Sequence, residues 1–321
     1  MTARFNSLII GAGNIGAFFD TPGSDRILTH AHAFSRHKGF RIAGFVDVDV
    51  KKAQRAAELW GGGAFSTIDS AFSRQDMDIV SIAVPDEHHV DALRKLADMP
   101  VKLIFCEKPL AKTMKEADEV LALYREKKPP VLVNYTRRFV PEFIRLQEDI
   151  RQNRYGEYLS GSGYYGKGIL HNGSHLVDLL RYLIGEITAA RQVNRFNDFY
   201  SDDPSVAAVL TFVGGKPFHL QCIDCGLYTI FELDLLFERK RIRIKDSGFA
   251  IEEYDVLDDK IFQGYRNITR VRETGTSLGK AAYFAAENIY DYLTGSVALR
   301  SPLDDAYETM KTSVMIRDHN G

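Results

Sequence analysis

Three groupings of residues in this chain could do chemistry. Cys106-Glu107-Lys108-Pro109 follows an apolar run, and an ammonium such as that of Lys108, set beside a carbonyl or alkoxide oxygen, stabilises developing negative charge. His171 and His175 lie in one short segment; an imidazole, with an unperturbed pKa of about 6.5, accepts and returns a proton near neutrality. Gly11-Ala-Gly13-Asn14-Ile15-Gly16 comes directly after Leu8-Ile9-Ile10. There Gly11 allows a tight turn, Gly13 removes the Cβ that would block a pyrophosphate, and Gly16 lets a following helix pack closely, with N–H groups aimed at phosphate.

These groups need elements to position them. Leu8-Ile10 reads as a strand, and Ala17-Phe18-Phe19 could begin a helix. Asp47, at the end of the next apolar run, is placed to accept hydrogen bonds from an adenosine ribose. It lies farther from Gly16 than the roughly 20 residues of the usual fingerprint. The turn formers Asp20-Thr-Pro-Gly-Ser-Asp25 account for the excess: they imply a loop near the phosphates, a lid or an ornament, with the helix resuming around Thr29–Phe34. Val48 after Asp47 favours NAD, while Lys51 and Lys52 keep NADP as the alternative.

Further apolar strands at 79–84, 102–106 and 131–133 alternate with helical segments at 89–98 and 113–127. That alternation implies a parallel, doubly wound sheet covered on both faces. Ligands bind at the carboxyl ends of such strands, where Val84-Pro85-Asp-Glu-His-His89 and Glu107-Lys108-Pro109 both fall. The expected organisation is an α/β dinucleotide-binding Rossmann domain over 1–133 and an α+β substrate-binding and oligomerisation domain over 134–321. In the latter, runs such as Val206–Val213 and Phe231–Phe237, with a hairpin signal at Gly214-Gly215, read as a large open, mainly antiparallel sheet. One helix, Ser174–Ile184, ends at Gly185. Two more are expected over 283–293 and 304–317, packing as core.

At this point the residues resemble the glucose-fructose oxidoreductase, inositol dehydrogenase and rhizopine-catabolism (Gfo/Idh/MocA) oxidoreductases. The resemblance rests on the glycine turn, on Cys106-Glu-Lys-Pro-Leu-Ala111 after a strand, and on Pro85 and His89. Arg137-Arg-Phe-Val-Pro141 resembles the segment leading into the substrate domain. The resemblance implies hydride transfer between a nicotinamide and a hydroxyl or carbonyl carbon of a sugar, polyol or nucleotide-sugar. Lys108 would sit beside the nicotinamide and the substrate oxygen, with the peptide before Pro109 often cis. Gly11, Gly13, Asn14, Ile15, Gly16, Asp47, Val84, Pro85 and His89 would hold NAD, and Glu107 its nicotinamide ribose. The segment His171-Asn172-Gly173-Ser174-His175 resembles the family's Asp-x-Gly-x-His element, so His175 would exchange the substrate proton. His171 occupies the place of the aspartate, a departure that removes a negative charge and weakens His175 as a base. Carbonyl reduction, with the proton given by His175 or Lys108, then stands beside alcohol oxidation. His171, Asn172, Tyr165 and Lys108 would meet substrate. An open sheet face covered by a second copy implies a homo-oligomer, a dimer or tetramer.

Other readings of the same residues lead elsewhere. Lys108 as an exposed helix-start lysine, a metal site from His171, His175 and Asp178, and a sugar pocket lined by Tyr164-Tyr165 each compete; no metal is expected, and Asp178 is read as a support for the helix. Cys222 and Cys225 read as core cysteines rather than zinc or redox ligands. A noncatalytic dinucleotide sensor is the rival function. The chain has 321 residues, 45% hydrophobic and 26% charged, with a net charge of −2, a balance that suits a folded protein and argues against nucleic acid or a membrane surface as partner. Only three cysteines, no signal-peptide pattern at the N-terminus and no long apolar run place it in the cytoplasm.

Overall fold

A computed structural model of the chain describes residues 4–125, 128–295 and 297–318. By contact they separate into two compact units, Met1–Phe139 with Gly279–Tyr307, and Val140–Leu278 with Glu308–Gly321. Among the described residues no helix is long and apolar enough to cross a membrane.

The first unit is built on six parallel strands, β1 (Phe5–Ile10), β2 (Phe40–Val46), β3 (Gly63–Phe65), β4 (Ile79–Ile82), β5 (Leu103–Cys106) and β6 (Val131–Val133), in the order β3-β2-β1-β4-β5-β6. β4 and β5 are buried at every position, which is why they read as unbroken apolar runs. Strand order reverses beside β1, so the ends of β1 and β4 open a crevice between them.

The helices are α1 (His30–Arg36), α2 (Val50–Trp60), α3 (Ile68–Phe72), α4 (His89–Leu96) and α5 (Met114–Tyr124). In α2, Ala53, Ala56 and Trp60 turn inward, Asp49 caps the start, and Gly61 ends it at φ +86°. Thr113 and Glu116 form a reciprocal capping box on α5. That helix was expected to run to 127; it stops at Tyr124, and 126–127 lie outside the described residues.

The helix expected at Ala17 is only one π-helical turn, Asn14–Phe18. The chain then loops out, and α1 begins after its cap Thr29. Asp20, buried, ties that loop down: it accepts from Leu28 N at 2.6 Å, from the Thr29 hydroxyl at 2.6 Å and from His32 Nδ1 at 2.9 Å.

The second unit holds α6 (Pro141–Arg151), eight strands and α7 (Ser174–Leu183). The strands are β7 (Tyr158–Tyr165), β8 (Ile187–Phe196), β9 (Ser205–Phe212), β10 (Pro217–Cys222), β11 (Glu232–Phe237), β12 (Lys240–Lys245), β13 (Ala250–Asp258) and β14 (Arg266–Gly275). They form one sheet in the order β14-β13-β12-β11-β7-β10-β9-β8. Every pairing is antiparallel except β7 with β10. Burial alternates along β9 and β11, one face packed and the other half-exposed.

Two helices close the chain. α8 (Ala281–Leu293) follows the strands of the second unit in sequence, yet its Ala282, Ala285, Ala286 and Ile289 join the core of the first with Phe34 and Phe40. The division by contact is therefore discontinuous along the chain, because a stripe of small residues lets α8 lie close to α1. α9 (Leu303–Asp318) ends the described chain.

Candidate functional site

In the first unit the glycine turn leaves β1 with Gly11 at φ +95°, where an added Cβ would stand 2.5 Å from the Ala83 carbonyl oxygen beyond β4. Gly16 packs as closely, a Cβ there falling 2.1 Å from the Gly11 oxygen. Gly13 differs: a Cβ on it would meet nothing within 4 Å. The turn thus needs Gly11 and Gly16 for its own packing, and leaves open space above Gly13 for a ligand to approach the backbone. Asn14 is exposed and Ile15 half-buried on the same turn. The first N–H groups of that turn have no acceptor earlier in it and suit phosphate oxygens.

A cleft of about 560 Å³ opens beside the turn, lined by Gly11, Gly13, Asp47, Val84 and Pro85 among the residues singled out above. Asp47 Oδ2 accepts the Ala12 N–H at 2.9 Å, and Oδ1 accepts that of Asp49, so this carboxylate joins the turn to the cap of α2. Val48 is fully exposed at the rim. Lys52, Thr67 and His88 also line the cleft; their side chains come from three different segments, and no local pattern marked Thr67, whereas His88 falls in the strand-end stretch Val84–His89. The residues present fit a dinucleotide such as NAD, which the open turn at Gly13, the Asp47 carboxylate and the apolar lining of the cleft could accommodate.

Glu107 and Lys108 leave the carboxyl end of β5, and the Lys108–Pro109 peptide is cis, as the resemblance implied. Glu107 is buried, and its Oε1 accepts from His30 Nε2 at 2.8 Å and from Asn134 Nδ2 at 2.6 Å. The other nitrogen of His30 pairs with the Ser81 hydroxyl, and the ring stacks on Phe105 at 4.6 Å. Burial raises the Glu107 pKa, but hydrogen bonds from His30 and Asn134 and the charge of Lys108 outweigh it and hold the carboxyl below its ordinary value. The oxygen that faces a ribose hydroxyl would be Oε2, which takes the Lys108 N–H at 3.3 Å.

His89 departs from expectation. It is buried, with Nδ1 2.7 Å from the Pro109 carbonyl oxygen and Nε2 3.0 Å from that of Val84. Its imidazole clamps the loops after β4 and β5 together rather than offering itself to a cofactor.

In the second unit the helical run starts earlier than the spacing suggested. A π-helical turn, Gly168–Gly173, continues directly into α7, so His171 and His175 lie on one uninterrupted helical run. The N–H groups of its first residues are met from one segment: Gly168 by the Ser205 hydroxyl at 2.9 Å, Ile169 by the Pro204 carbonyl at 3.0 Å, and Leu170 and His171 by Asp203, each at 3.0 Å. Asp203 Oδ2 also stands 2.6 Å from His171 Nδ1, and the Tyr200 ring stacks on the imidazole with centroids 3.7 Å apart. Asn172 donates to the Gly166 carbonyl at 2.9 Å. His175 is half-buried one turn on. Asp178 is buried and accepts from Thr309, which also accepts from Arg181. Among the described residues no group of three potential metal ligands comes together.

Two expectations fail here for reasons of packing. Tyr165 does not line a pocket: it is fully buried, its hydroxyl donating to the Val206 carbonyl and accepting the Val206 N–H, with burial holding its pKa well above the ordinary value. Cys222 and Cys225 are not core; both are half-exposed at the end of β10 and in the turn after it, free thiols whose pKa values burial pushes up, that of Cys222 to about 12. His30, Asn134, Tyr200 and Asp203 carry no local signal of a site, apart from the histidine pair in Thr29-His-Ala-His-Ala, polar residues on a helix face that must be buried.

A family model described as an oxidoreductase family with an NAD-binding Rossmann fold matches residues 5–135. Among curated proteins, the inositol 2-dehydrogenase of Rhizobium meliloti strain 1021 is 28% identical over 240 residues, 67% of this chain and 67% of the relative. That of Arthrobacter sp. strain FB24 is 31% identical over 213 residues, 60% of this chain and 58% of the relative. The match therefore spans about three fifths to two thirds of such relatives. A levoglucosan dehydrogenase solved with NADH shares the fold, with a TM-score of 0.78 at 17% identity over 98% of this chain and 96% of that one. The UDP-N-acetylglucosamine 3-dehydrogenase of Acidithiobacillus ferrooxidans gives 0.77 at 17% identity over 98% and 97%.

Proposed function

Through residues 5–135 the chain belongs to the NAD-binding Gfo/Idh/MocA oxidoreductases, and from that premise we propose that it interconverts a hydroxyl and a carbonyl on a polyol or sugar, with Lys108 meeting the oxygen and His175 moving its proton. The observation that carries this reading is the seating of Lys108: it follows a buried carboxylate locked by His30 and Asn134, at the end of a strand beside the one that borders the NAD cleft.

When bound, NAD supplies the hydride acceptor. Gly13 admits its pyrophosphate to the backbone, and Asp47 takes the adenosine ribose. The Lys108 ammonium donates to the substrate oxygen and offsets its developing charge in the oxidative direction. The His175 imidazole takes the hydroxyl proton and returns it in the reverse direction. The relatives named inositol 2-dehydrogenase support a polyol, and the dehydrogenases of levoglucosan and of a nucleotide-sugar support a sugar. A second copy of the chain covering the half-exposed face of the eight-stranded sheet is part of the same proposal, supported by exposed Val193 on β8 and Val271 on β14.

The test is nicotinamide absorbance against a panel of inositols, free sugars and nucleotide-sugars, with Lys108→Met and His175→Ala beside the wild type. Turnover should fall about 10²–10⁴-fold in each variant while NAD titrates unchanged. Intact turnover in both variants would remove the assigned roles, and tight NAD binding with silence across the panel would favour the sensor.

A further inference from the structure

The carboxylate that the sequence lacks at position 171 is present in space. Asp203, 32 residues further along the chain, is 2% exposed and brings Oδ2 to 2.6 Å from His171 Nδ1, closer than either backbone N–H that it accepts. We propose that Asp203 is a positioning residue of the proton-handling site, holding His171 as its Nδ1–H tautomer so that the ring presents Nε2 as a proton acceptor. The inference rests on the redox reading given above.

Three features argue for it. A carboxylate accepts only, so the nitrogen facing it carries hydrogen. The other nitrogen is then the basic one, and a proton taken there makes an imidazolium whose charge the ionised Asp203 offsets. The ring is also held in plane, since Tyr200 from the same loop stacks on it at an interplanar angle of 13°. The space is shaped for the carboxylate as well: Gly168, at φ +77°, would place a Cβ 2.1 Å from Asp203 Oδ2. Capping alone explains the two backbone contacts; it does not require the imidazole contact or the stacked ring. Arg317 and the Tyr165 hydroxyl also interact electrostatically with Asp203. The proton that a hydroxyl gives up then has two imidazoles on one helical run to receive it, His175 and, behind an oriented Nε2, His171.

The wild-type full chain, labelled with ¹⁵N-histidine, tests this without any variant that has to fold. Its His171 signal, identified by its loss in His171→Asn, should show a protonated Nδ1 and a bare Nε2; a protonated Nε2 with a bare Nδ1 overturns the assignment. A kinetic cycle tests the coupling. Asp203→Asn should lower kcat on the polyol or sugar about 10²–10⁴-fold with NAD affinity unchanged, and in a His171→Asn background it should cost less than about threefold. An equal loss in both backgrounds would mean that Asp203 only caps the helix, and would overturn the proposal. Absence of turnover on every polyol and sugar would strike the redox reading, and the ring spectrum would still decide between the two tautomers.

Discussion

Nε2 of His30 lies 2.8 Å from Oε1 of Glu107, joining residues 77 apart in sequence through a fully buried imidazole. Glu107 directly precedes Lys108 in the chain. Removing a donor to a buried carboxylate leaves that acceptor short of a partner and costs roughly 1–3 kcal/mol. His30→Leu should therefore lower unfolding free energy in urea by about 2 kcal/mol, short of the full range because Asn134 still donates to Glu107. Adding Glu107→Gln to it should recover part of the loss. A single-variant loss under about 1 kcal/mol would mean the pair carries no such burden.

Gly11 and Gly13 should separate folding from cofactor binding. Gly11→Ala forces a Cβ to 2.5 Å from the Ala83 oxygen at φ +95°, a strain of about 1–3 kcal/mol, and the melting temperature should drop. Gly13→Ala enters open space at φ −92°, so the melting temperature should hold. Its NAD affinity should weaken tenfold or more, about 1.4 kcal/mol. Unchanged NAD affinity in Gly13→Ala would place the pyrophosphate elsewhere.

Asp47 should set the preference for NAD. Its carboxylate borders the cleft beside Lys52 and repels a 2′-phosphate. Asp47→Ser should raise the ratio of NADP to NAD affinity by about tenfold, roughly 1.4 kcal/mol, and Lys52→Ala added to it should take most of that gain back. The serine also loosens the hold on the Ala12 N–H, at a cost of about 1 kcal/mol in stability. Parallel changes in both affinities would show that Asp47 does not face the ribose.

Glu252 should make the second unit acid-sensitive. Burial opposes its ionisation, but hydrogen bonds from Tyr254, Lys245 and Arg270 outweigh it and hold the carboxyl down to about 2, from 4.5. A depressed folded-state pKa stabilises fully above the unfolded value and loses that contribution as pH falls toward the folded one. The gap in melting temperature between wild type and Glu252→Gln should then be widest above pH 4.5, narrow below it and close near pH 2. A gap constant from neutral pH down to that point would rule out the carboxylate as its source.

Much of this site is legible from short stretches of chain. The glycine turn, Asp47 and Glu107-Lys108-Pro109 announce themselves because each does its work through neighbours in sequence or at a strand end whose position the alternation of elements dictates. The Asp20–Asp25 insertion is visible for the same reason, since turn formers act locally. Tyr165 shows where that logic stops. Side chains alternate across a strand, but Tyr164 and Tyr165 are equally apolar, so nothing local tells which one faces the core; the sheet buries Tyr165 and leaves Tyr164 37% exposed.

The amino-acid order alone determined a dinucleotide turn, a lysine at a strand terminus and a pair of histidines near the start of a helix, because backbone preference and hydrophobic period are properties of neighbouring residues. Tertiary structure alone decided what surrounds them. It put His30 against Glu107, Asp203 against His171, and the His89 imidazole between two carbonyls. Hydrogen bonds and ion pairs depend on distance in space, and a fold brings together groups that the chain keeps far apart.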